Sequence, residues 1–213
     1  MLREVAVQGL IQKLTRALGY DLVPYKPTDT DLIFPPDISP DEQSILRRVS
    51  AYTMTSLERQ ITLIQAVRHI VQGGISGCFV ECGVWRGGST MAAALAFAHA
   101  GDSSRHLYLF DTFEGMSPPT AEDKSADGTL AKTLLEHEEK GAGMWCYAGI
   151  DDVWANVAST NYPRDHIHLV KGPVEQTLPA HAPPAPIALL RLDTDWYEST
   201  KHEMIHLFPL LQE

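Results

Sequence analysis

The chain has 213 residues and a formal net charge of −10 at pH 7, from 17 Lys and Arg against 27 Asp and Glu. This length suits one domain with an added segment, and the acidity argues against a nucleic-acid binder because no basic stripe is available to neutralise phosphates. Three cysteines without a C-x-x-C pair predict buried thiols rather than disulfides, and the lack of a recognisable signal peptide or membrane-spanning apolar run predicts a cytoplasmic protein with no membrane partner.

Helical periodicity dominates the first third of the chain. Apolar residues recur at helical spacing over residues 2–18, and a stretch rich in proline and aspartate, 23–40, is typical of an irregular linker. Helical spacing resumes over 40–49 and 56–71. We therefore predict an N-terminal helical extension, residues 1–74, that could pack on the core, cover a ligand site as a lid or mediate a homodimer.

The rest of the chain, residues 75–213, alternates short apolar runs with helical patterns. The predicted strands are 78–80, 106–110, 166–170 and 187–192, and the predicted helices are 91–100, 129–140, 152–159 and 198–207. This alternation predicts a Rossmann-like α/β core, with a doubly wound and mostly parallel sheet. Residues 112–128 are polar and predict a long loop over the strand ends, where substrates are commonly held.

The turn after the first predicted strand, residues 81–89, has the pattern E-x-G-x-x-x-G-G-S. Gly83 allows a tight turn, and the free N–H groups at the start of the next helix favour a carboxylate or phosphate. Trp85 stands where a dinucleotide-binding motif requires glycine. The Glu81 carboxylate would repel a phosphate and attract an ammonium group, so we infer that the ligand is S-adenosylmethionine. The alternative is that Glu81 only caps a turn or forms a salt bridge.

Acidic residues also end the second and fourth predicted strands. Asp111 is placed to accept hydrogen bonds from ribose hydroxyls, although it could instead cap a turn. Asp193 and Asp195 would project the same way from an extended chain, so their charges need a cation or protons between them. Mg²⁺ suits such oxygen ligands. The alternative is that both aspartates cap the helix that follows.

A second metal motif is weaker. His202 and His206 match the H-E-x-x-H pattern of zinc proteases. Pro209 ends this helix and the chain closes four residues later, so we expect no third ligand and interpret the match as coincidental. His166 and His168 are interpreted as ordinary strand residues.

Three runs together resemble one known family. They are Val80–Ser89 (VECGVWRGGS), Phe110–Met116 (FDTFEGM) and Leu192–Thr200 (LDTDWYEST). They are similar to the macrocin O-methyltransferases, which include sugar O-methyltransferases of macrolide and aminocoumarin antibiotic tailoring. The resemblance runs from about Thr53 to the end of the chain. It implies transfer of a methyl group, dependent on S-adenosylmethionine and Mg²⁺, to a hydroxyl of a glycosylated natural product.

The resemblance also implies a role for each matching residue. The cofactor would be held by Met54, Glu81, Gly83, Trp85, Ser89, Asp111 and Val174, with Glu81, Gly83 and Ser89 at its methionine end, Asp111 at the ribose and Val174 at the adenine. Asp193 would be a metal ligand and Asp195 the general base.

The chain departs from the family at its end. In the family, the strand after the crossover helix carries an Asp-Asp pair that completes the metal site, whereas this sequence stops at Glu213. We therefore expect truncated C-terminal strands, a weak or absent metal site, impaired catalysis and a bare sheet edge that a second copy could cover. One alternative function is a non-catalytic cofactor-binding domain, and another is a sugar-nucleotide dehydrogenase, which Trp85 disfavours.

Overall fold

This computed structural model describes residues 33–136, 145–184 and 186–212. The chain divides into two compact units, residues 1–35 and 36–213. Every helix and strand described below lies in the second unit, including the helices predicted over 40–49 and 56–71. The helix predicted over residues 2–18 lies outside the described residues.

Helices and strands alternate along this second unit. They are α1 (Pro40–Val49), a 3-10 turn (Ser50–Tyr52), α2 (Leu57–Gln72), β1 (Cys78–Cys82), α3 (Gly88–His99), β2 (Leu107–Asp111), α4 (Ala131–Glu136), α5 (Ile150–Ala158), a 3-10 turn (Arg164–His166), β3 (Ile167–Lys171), α6 (Val174–Thr177), β4 (Ile187–Leu192), α7 (Tyr197–His206) and a 3-10 turn (Phe208–Leu210). The four predicted strands are confirmed. The short helix α6 was not predicted, and part of the helix predicted over 129–140 lies outside the described residues.

The four strands form one parallel sheet in the order β3-β2-β1-β4. The predicted α/β class is therefore confirmed. All five residues of β1 are buried, because neighbouring strands flank it and helices cover both faces of the sheet. The carboxyl ends of β1, β2 and β4 meet at one edge, which is where open α/β sheets bind ligands.

The glycine turn leads directly into α3, and Gly87, Gly88 and Ser89 start the helix as predicted. Gly87 takes the left-handed conformation at φ +86° and forms the N-cap, and its carbonyl accepts the N–H of Met91 at 2.8 Å. The helix therefore begins at Gly88, ahead of the alanine-rich stretch 91–100. Its alanines Ala92, Ala93 and Ala94 are fully buried, and such small side chains let α3 pack closely against α1, α2 and α5.

The second layer lies on the opposite face of the sheet. Val80, Cys82 and Phe110 pack there against Leu178 and Leu207. Burial raises the pKa of the Cys78 thiol to about 11, and burial also raises the pKa of the Cys82 thiol. Cys78 and Cys82 are buried, as predicted, whereas Cys146 is only partly buried, and none of the three cysteines forms a disulfide. No helix in the described ranges has the length and apolarity needed to cross a membrane.

Candidate functional site

A cleft of about 300 Å³ opens at the carboxyl ends of the strands. This volume is at the small end of the range for ligand pockets. All the site residues predicted from the sequence line it: Met54, Glu81, Gly83, Trp85, Ser89, Asp111, Val174, Asp193 and Asp195. The fold therefore brings together residues from five separate stretches of the chain, while the role predicted for each stays a prediction.

The glycine turn holds β1 close to the segment after β4. The N–H of Asp193 donates to the carbonyl of Cys82 at 2.8 Å. Gly83 sits at φ +81°, and a Cβ there would lie 2.5 Å from the backbone oxygen of Asp193. Only glycine allows this approach without a shift of backbone. Trp85, at φ +47°, also takes the left-handed conformation, in which a bulky residue is strained.

The Asp111 carboxylate holds this turn from the neighbouring strand. One of its oxygens accepts the N–H groups of Val84 at 2.6 Å and Trp85 at 3.1 Å, and the other accepts the N–H of Phe113 at 2.8 Å. Asp111 thus caps two turns at once, which is the alternative that the sequence left open for it. Its binding of ribose hydroxyls stays a prediction.

Glu81 forms the floor of the cleft and is only 1 % exposed. One carboxylate oxygen accepts a hydrogen bond from Nη1 of Arg191 at 2.6 Å, and the other accepts a hydrogen bond from the Thr90 hydroxyl. Burial raises the pKa of Glu81 to about 7, against the opposing effects of the Arg191 charge and the Thr90 hydrogen bond. The carboxylate therefore changes charge close to neutral pH.

Arg191 is the main residue that the sequence reasoning missed. It lies opposite Glu81 in the register of β1 and β4, and its Nη2 donates to Asp193 Oδ2 at 2.8 Å and to Thr55 Oγ1 at 3.0 Å. The run 187–192 was interpreted as unbroken and apolar, which is wrong because Arg191 interrupts it. A charge inside a buried strand needs a partner, and that signal could have identified the residue.

Gln60 supports the cleft from α2 and was also missed. Its Nε2 donates to Ser89 Oγ at 2.8 Å and to Thr53 Oγ1 at 3.2 Å. Its Oε1 is buried and has no partner among the described residues. A buried acceptor without a partner beside two hydroxyls of the cleft fits a place where a polar ligand binds. The sequence signal was a glutamine on the apolar stripe that also carries Leu63, Ile64 and Val67.

The predicted loop does lie over this edge of the sheet. Trp196 Nε1 donates to the carbonyl of Ser117 at 2.8 Å, and the N–H of Tyr197 donates to Asp123 Oδ1 at 2.8 Å. These bonds fasten the loop to the segment that carries Asp193 and Asp195. Asp195 stands at the rim, where desolvation raises the pKa of its carboxyl and the Asp193 charge raises it further. Such a shift makes a carboxylate a stronger base.

The described residues do not compose a metal centre. Asp193 and Asp195 both line the cleft, but one oxygen of Asp193 is already paired with Arg191. Over residues 33–136, 145–184 and 186–212, no three potential ligands converge on one point. The described side chains around Asp193 are too few and too strongly paired to coordinate Mg²⁺ by themselves. The role of Asp193 as a metal ligand therefore stays a prediction.

The H-E-x-x-H residues have structural partners instead. His202 Nε2 lies 3.2 Å from the carbonyl of Leu178, and the rings of His202 and His206 contact each other with centroids 4.4 Å apart. Glu203 is fully buried and accepts the Thr194 hydroxyl at 3.0 Å. The glutamate thus packs beneath the segment after β4, against the Thr194 hydroxyl.

The sheet order, the glycine turn and the cleft at the strand ends define a Rossmann-like α/β protein with a small-molecule site. A sequence model described as Macrocin-O-methyltransferase (TylF) matches residues 41–213. The chain therefore belongs to the macrocin O-methyltransferase family, as the sequence motifs predicted.

Named relatives agree with this assignment. The chain is 33 % identical over 161 residues, 76 % of its length, to the 8-demethyl-8-(2,3-dimethoxy-α-L-rhamnosyl)-tetracenomycin-C 4′-O-methyltransferase of Streptomyces olivaceus. It is 28 % identical over 75 % of its length to the demethyldecarbamoylnovobiocin O-methyltransferase of Streptomyces niveus. The chain spans only 59 % and 58 % of the lengths of these two relatives.

Two solved structures share the architecture. The O-methyltransferase NovP superposes with a TM-score of 0.63 at 26 % identity, over 76 % of this chain and 63 % of NovP. The calicheamicin methyltransferase CalS11 superposes with a TM-score of 0.55 at 16 % identity, over 91 % of this chain and 81 % of CalS11, which shows a common fold.

Proposed function

We propose that this chain belongs to an O-methyltransferase that uses S-adenosylmethionine to methylate a hydroxyl of a small glycosylated natural product. Family membership supports the reaction class, and the names of the relatives from Streptomyces support the class of acceptor. The cytoplasmic location, the lid role of residues 1–74 and a homodimer stay predictions.

The single observation that carries the choice of cofactor is the charge of the cleft. Glu81, Asp111, Asp193 and Asp195 all line it, and Glu81 is buried at its floor. A dinucleotide would place its phosphates against these carboxylates, which costs free energy in a partly buried site. S-adenosylmethionine has no phosphate and carries two cationic groups, a sulfonium and an ammonium, so it suits this cleft.

The polar and apolar residues are placed to hold such a molecule. Glu81 and Ser89 line the cleft, Gln60 with its unpartnered Oε1 contacts Ser89, and Met54 and Trp85 offer apolar surface. When bound, S-adenosylmethionine supplies an electrophilic methyl group on its sulfonium. Asp195 would remove the proton of the acceptor hydroxyl as the new carbon–oxygen bond forms. We include no step through Mg²⁺, because the described side chains do not fit that ion.

A thermal-shift panel tests the choice of cofactor. S-adenosylhomocysteine, NAD and a sugar nucleotide are each titrated into the chain, since specific binding raises the melting temperature by mass action. We expect a concentration-dependent rise with S-adenosylhomocysteine alone. A rise with NAD or the sugar nucleotide and none with S-adenosylhomocysteine would overturn the proposal. A methylation assay then separates an enzyme from a cofactor-binding domain without activity.

A further inference from the structure

Arg191 is the buried cation of the cleft. Its side chain is 15 % exposed, and it donates to Glu81, Asp193 and Thr55 through its two terminal nitrogens. A guanidinium has five N–H donors, so two remain without a partner among the described residues. Arg191 therefore has hydrogen-bonding capacity left in the wall of the cleft, next to the residue inferred to bind an ammonium group.

The other charges around the cleft make this position distinctive. The cations that line the cleft in the described part of the chain are Arg191 and Arg59, and the carboxylates that line it are those of Glu81, Asp111, Glu175, Asp193 and Asp195. Arg59 is exposed on α2, whereas Arg191 touches Glu81 directly. An anionic group that enters beside Glu81 is repelled by the four other carboxylates and meets a largely buried positive charge at Arg191.

The inferred cofactor carries such an anionic group. The methionine end of S-adenosylmethionine is a zwitterion, with a carboxylate on the same carbon as the ammonium. Its entry would exchange the single pair Glu81–Arg191 for two pairs, ammonium with Glu81 and carboxylate with Arg191. The net charge of the buried site does not change, so no additional charge has to be desolvated without a partner.

On the basis of the proposed function, we propose that Arg191 is the residue that binds the carboxylate of the cofactor. Thr55 and Asp193 hold the guanidinium in place from two sides. Arginine suits this role because it is always charged, so a hydrogen bond from one of its remaining N–H groups to a carboxylate is charge-assisted. The N–H groups at the start of α3 are neutral donors and add to the interaction.

The test compares ligands that differ at the amino-acid end. Affinities are measured by isothermal titration calorimetry for S-adenosylhomocysteine, for its analogue with hydrogen in place of the carboxylate, and for methylthioadenosine, which lacks both charges. The proteins are the unchanged chain, Arg191→Met, Arg191→Lys and, as the matched control, Arg59→Met. Circular dichroism melting curves report whether each variant is folded.

We expect Arg191→Met to weaken S-adenosylhomocysteine binding by about 10- to 100-fold, which is typical of a hydrogen bond to a charged group. Binding of the analogue without a carboxylate is expected to stay equal or become tighter, and methylthioadenosine binding is expected to stay the same. Arg191→Lys should retain part of the affinity for S-adenosylhomocysteine, and Arg59→Met should retain all of it. The unchanged chain should also prefer S-adenosylhomocysteine over the analogue by 10-fold or more, about 1.4 kcal/mol, which tests the proposal even where a variant does not fold.

Three results would overturn this assignment. If Arg191→Met weakens both ligands equally, Arg191 only orders the cleft. If the loss specific to the carboxylate appears in Arg59→Met, then Arg59 is the binding residue. If the unchanged chain binds S-adenosylhomocysteine and the analogue without a carboxylate equally well, no residue of the cleft binds the carboxylate. Failure of the unchanged chain to bind any of the three adenosine ligands would instead overturn the proposed function itself.

Discussion

Glu203 should make the stability of the fold depend on pH. Its carboxyl is fully buried beneath the segment after β4, and its hydrogen-bond partner is the neutral hydroxyl of Thr194. Burial raises the pKa of Glu203 from 4.5 to about 8; the Thr194 hydrogen bond opposes this shift and the Glu175 charge adds to it. The folded state therefore holds a proton that the unfolded state releases above pH 4.5.

The sign and size of the effect follow from this difference. Because the pKa is higher in the folded state, the Glu203 carboxyl does not lower the free energy of unfolding below pH 4.5. The free energy of unfolding then falls as pH rises, and well above pH 8 it falls no further on account of this group. Each pKa unit corresponds to about 1.4 kcal/mol, and because the carboxyl is partly ionised at both ends of the range, the loss between pH 5 and pH 8 is roughly 3 to 4 kcal/mol. Glu203→Gln cannot ionise and should remove this part of the pH dependence.

Urea denaturation at half-unit steps between pH 5 and pH 8 measures the effect. The difference between the unchanged chain and Glu203→Gln isolates this one carboxyl, since all other titrating groups are common to both proteins. Glu198→Gln is the matched control, because Glu198 lies on the same helix but is exposed, and it should follow the unchanged chain. Parallel pH curves for the unchanged chain and Glu203→Gln would refute the reasoning, because they would mean that the carboxyl ionises equally in both states.

Further predictions concern the turn and the cleft. Gly83→Ala should lower the free energy of unfolding in urea by about 2 kcal/mol more than the control Gly101→Ala, because both glycines have positive φ but only Gly83 would place a Cβ against backbone. An equal loss in the two variants would contradict the contact. Glu81→Gln should weaken S-adenosylhomocysteine binding by about 10-fold or more in calorimetry, and the affinity of the unchanged chain should fall below pH 7 because an ammonium binds the ionised carboxylate; a flat pH profile would remove Glu81 from this role. Asp195→Asn should reduce methyl-transfer turnover by about 100-fold or more while cofactor affinity is kept, and unchanged turnover would exclude Asp195 as the base.

The sequence was sufficient for the sheet and for the place of the cleft. Apolar runs followed by glycine or acid predicted all four strands, because buried parallel strands require continuous apolar residues and their ends carry the polar turns. The acids Glu81, Asp111 and Asp193 could be placed at one edge for the same reason, since parallel strands all end on that side. Strand order and side-chain partners depend on tertiary packing, and the sequence did not specify them.

The residues that were missed are those whose partners lie far away in the chain. Arg191 meets Glu81 across 110 positions and Gln60 meets Ser89 across 29. No local motif records such pairs, and Arg191 was overlooked because the run 187–192 was interpreted as unbroken and apolar. For Asp111, the sequence predicted the position but not the hydrogen-bond partners. Its position at the end of the second strand was correct, yet its oxygens hold backbone N–H groups of the turns.

The pair Glu81–Arg191 also helps to define the fold that positions it. Because β1 is buried on both faces, the alternation of apolar and polar residues cannot fix its register against β4. The two strands already contain an irregularity between Cys78 and Phe79, so their pairing could shift. A shift by one residue would place a leucine opposite Glu81 and leave two buried charges unpaired, at a cost of several kcal/mol. Glu81 and Arg191 thus have two effects. Their charges make the cleft suitable for a zwitterion, and their pairing selects the strand register on which the cleft depends.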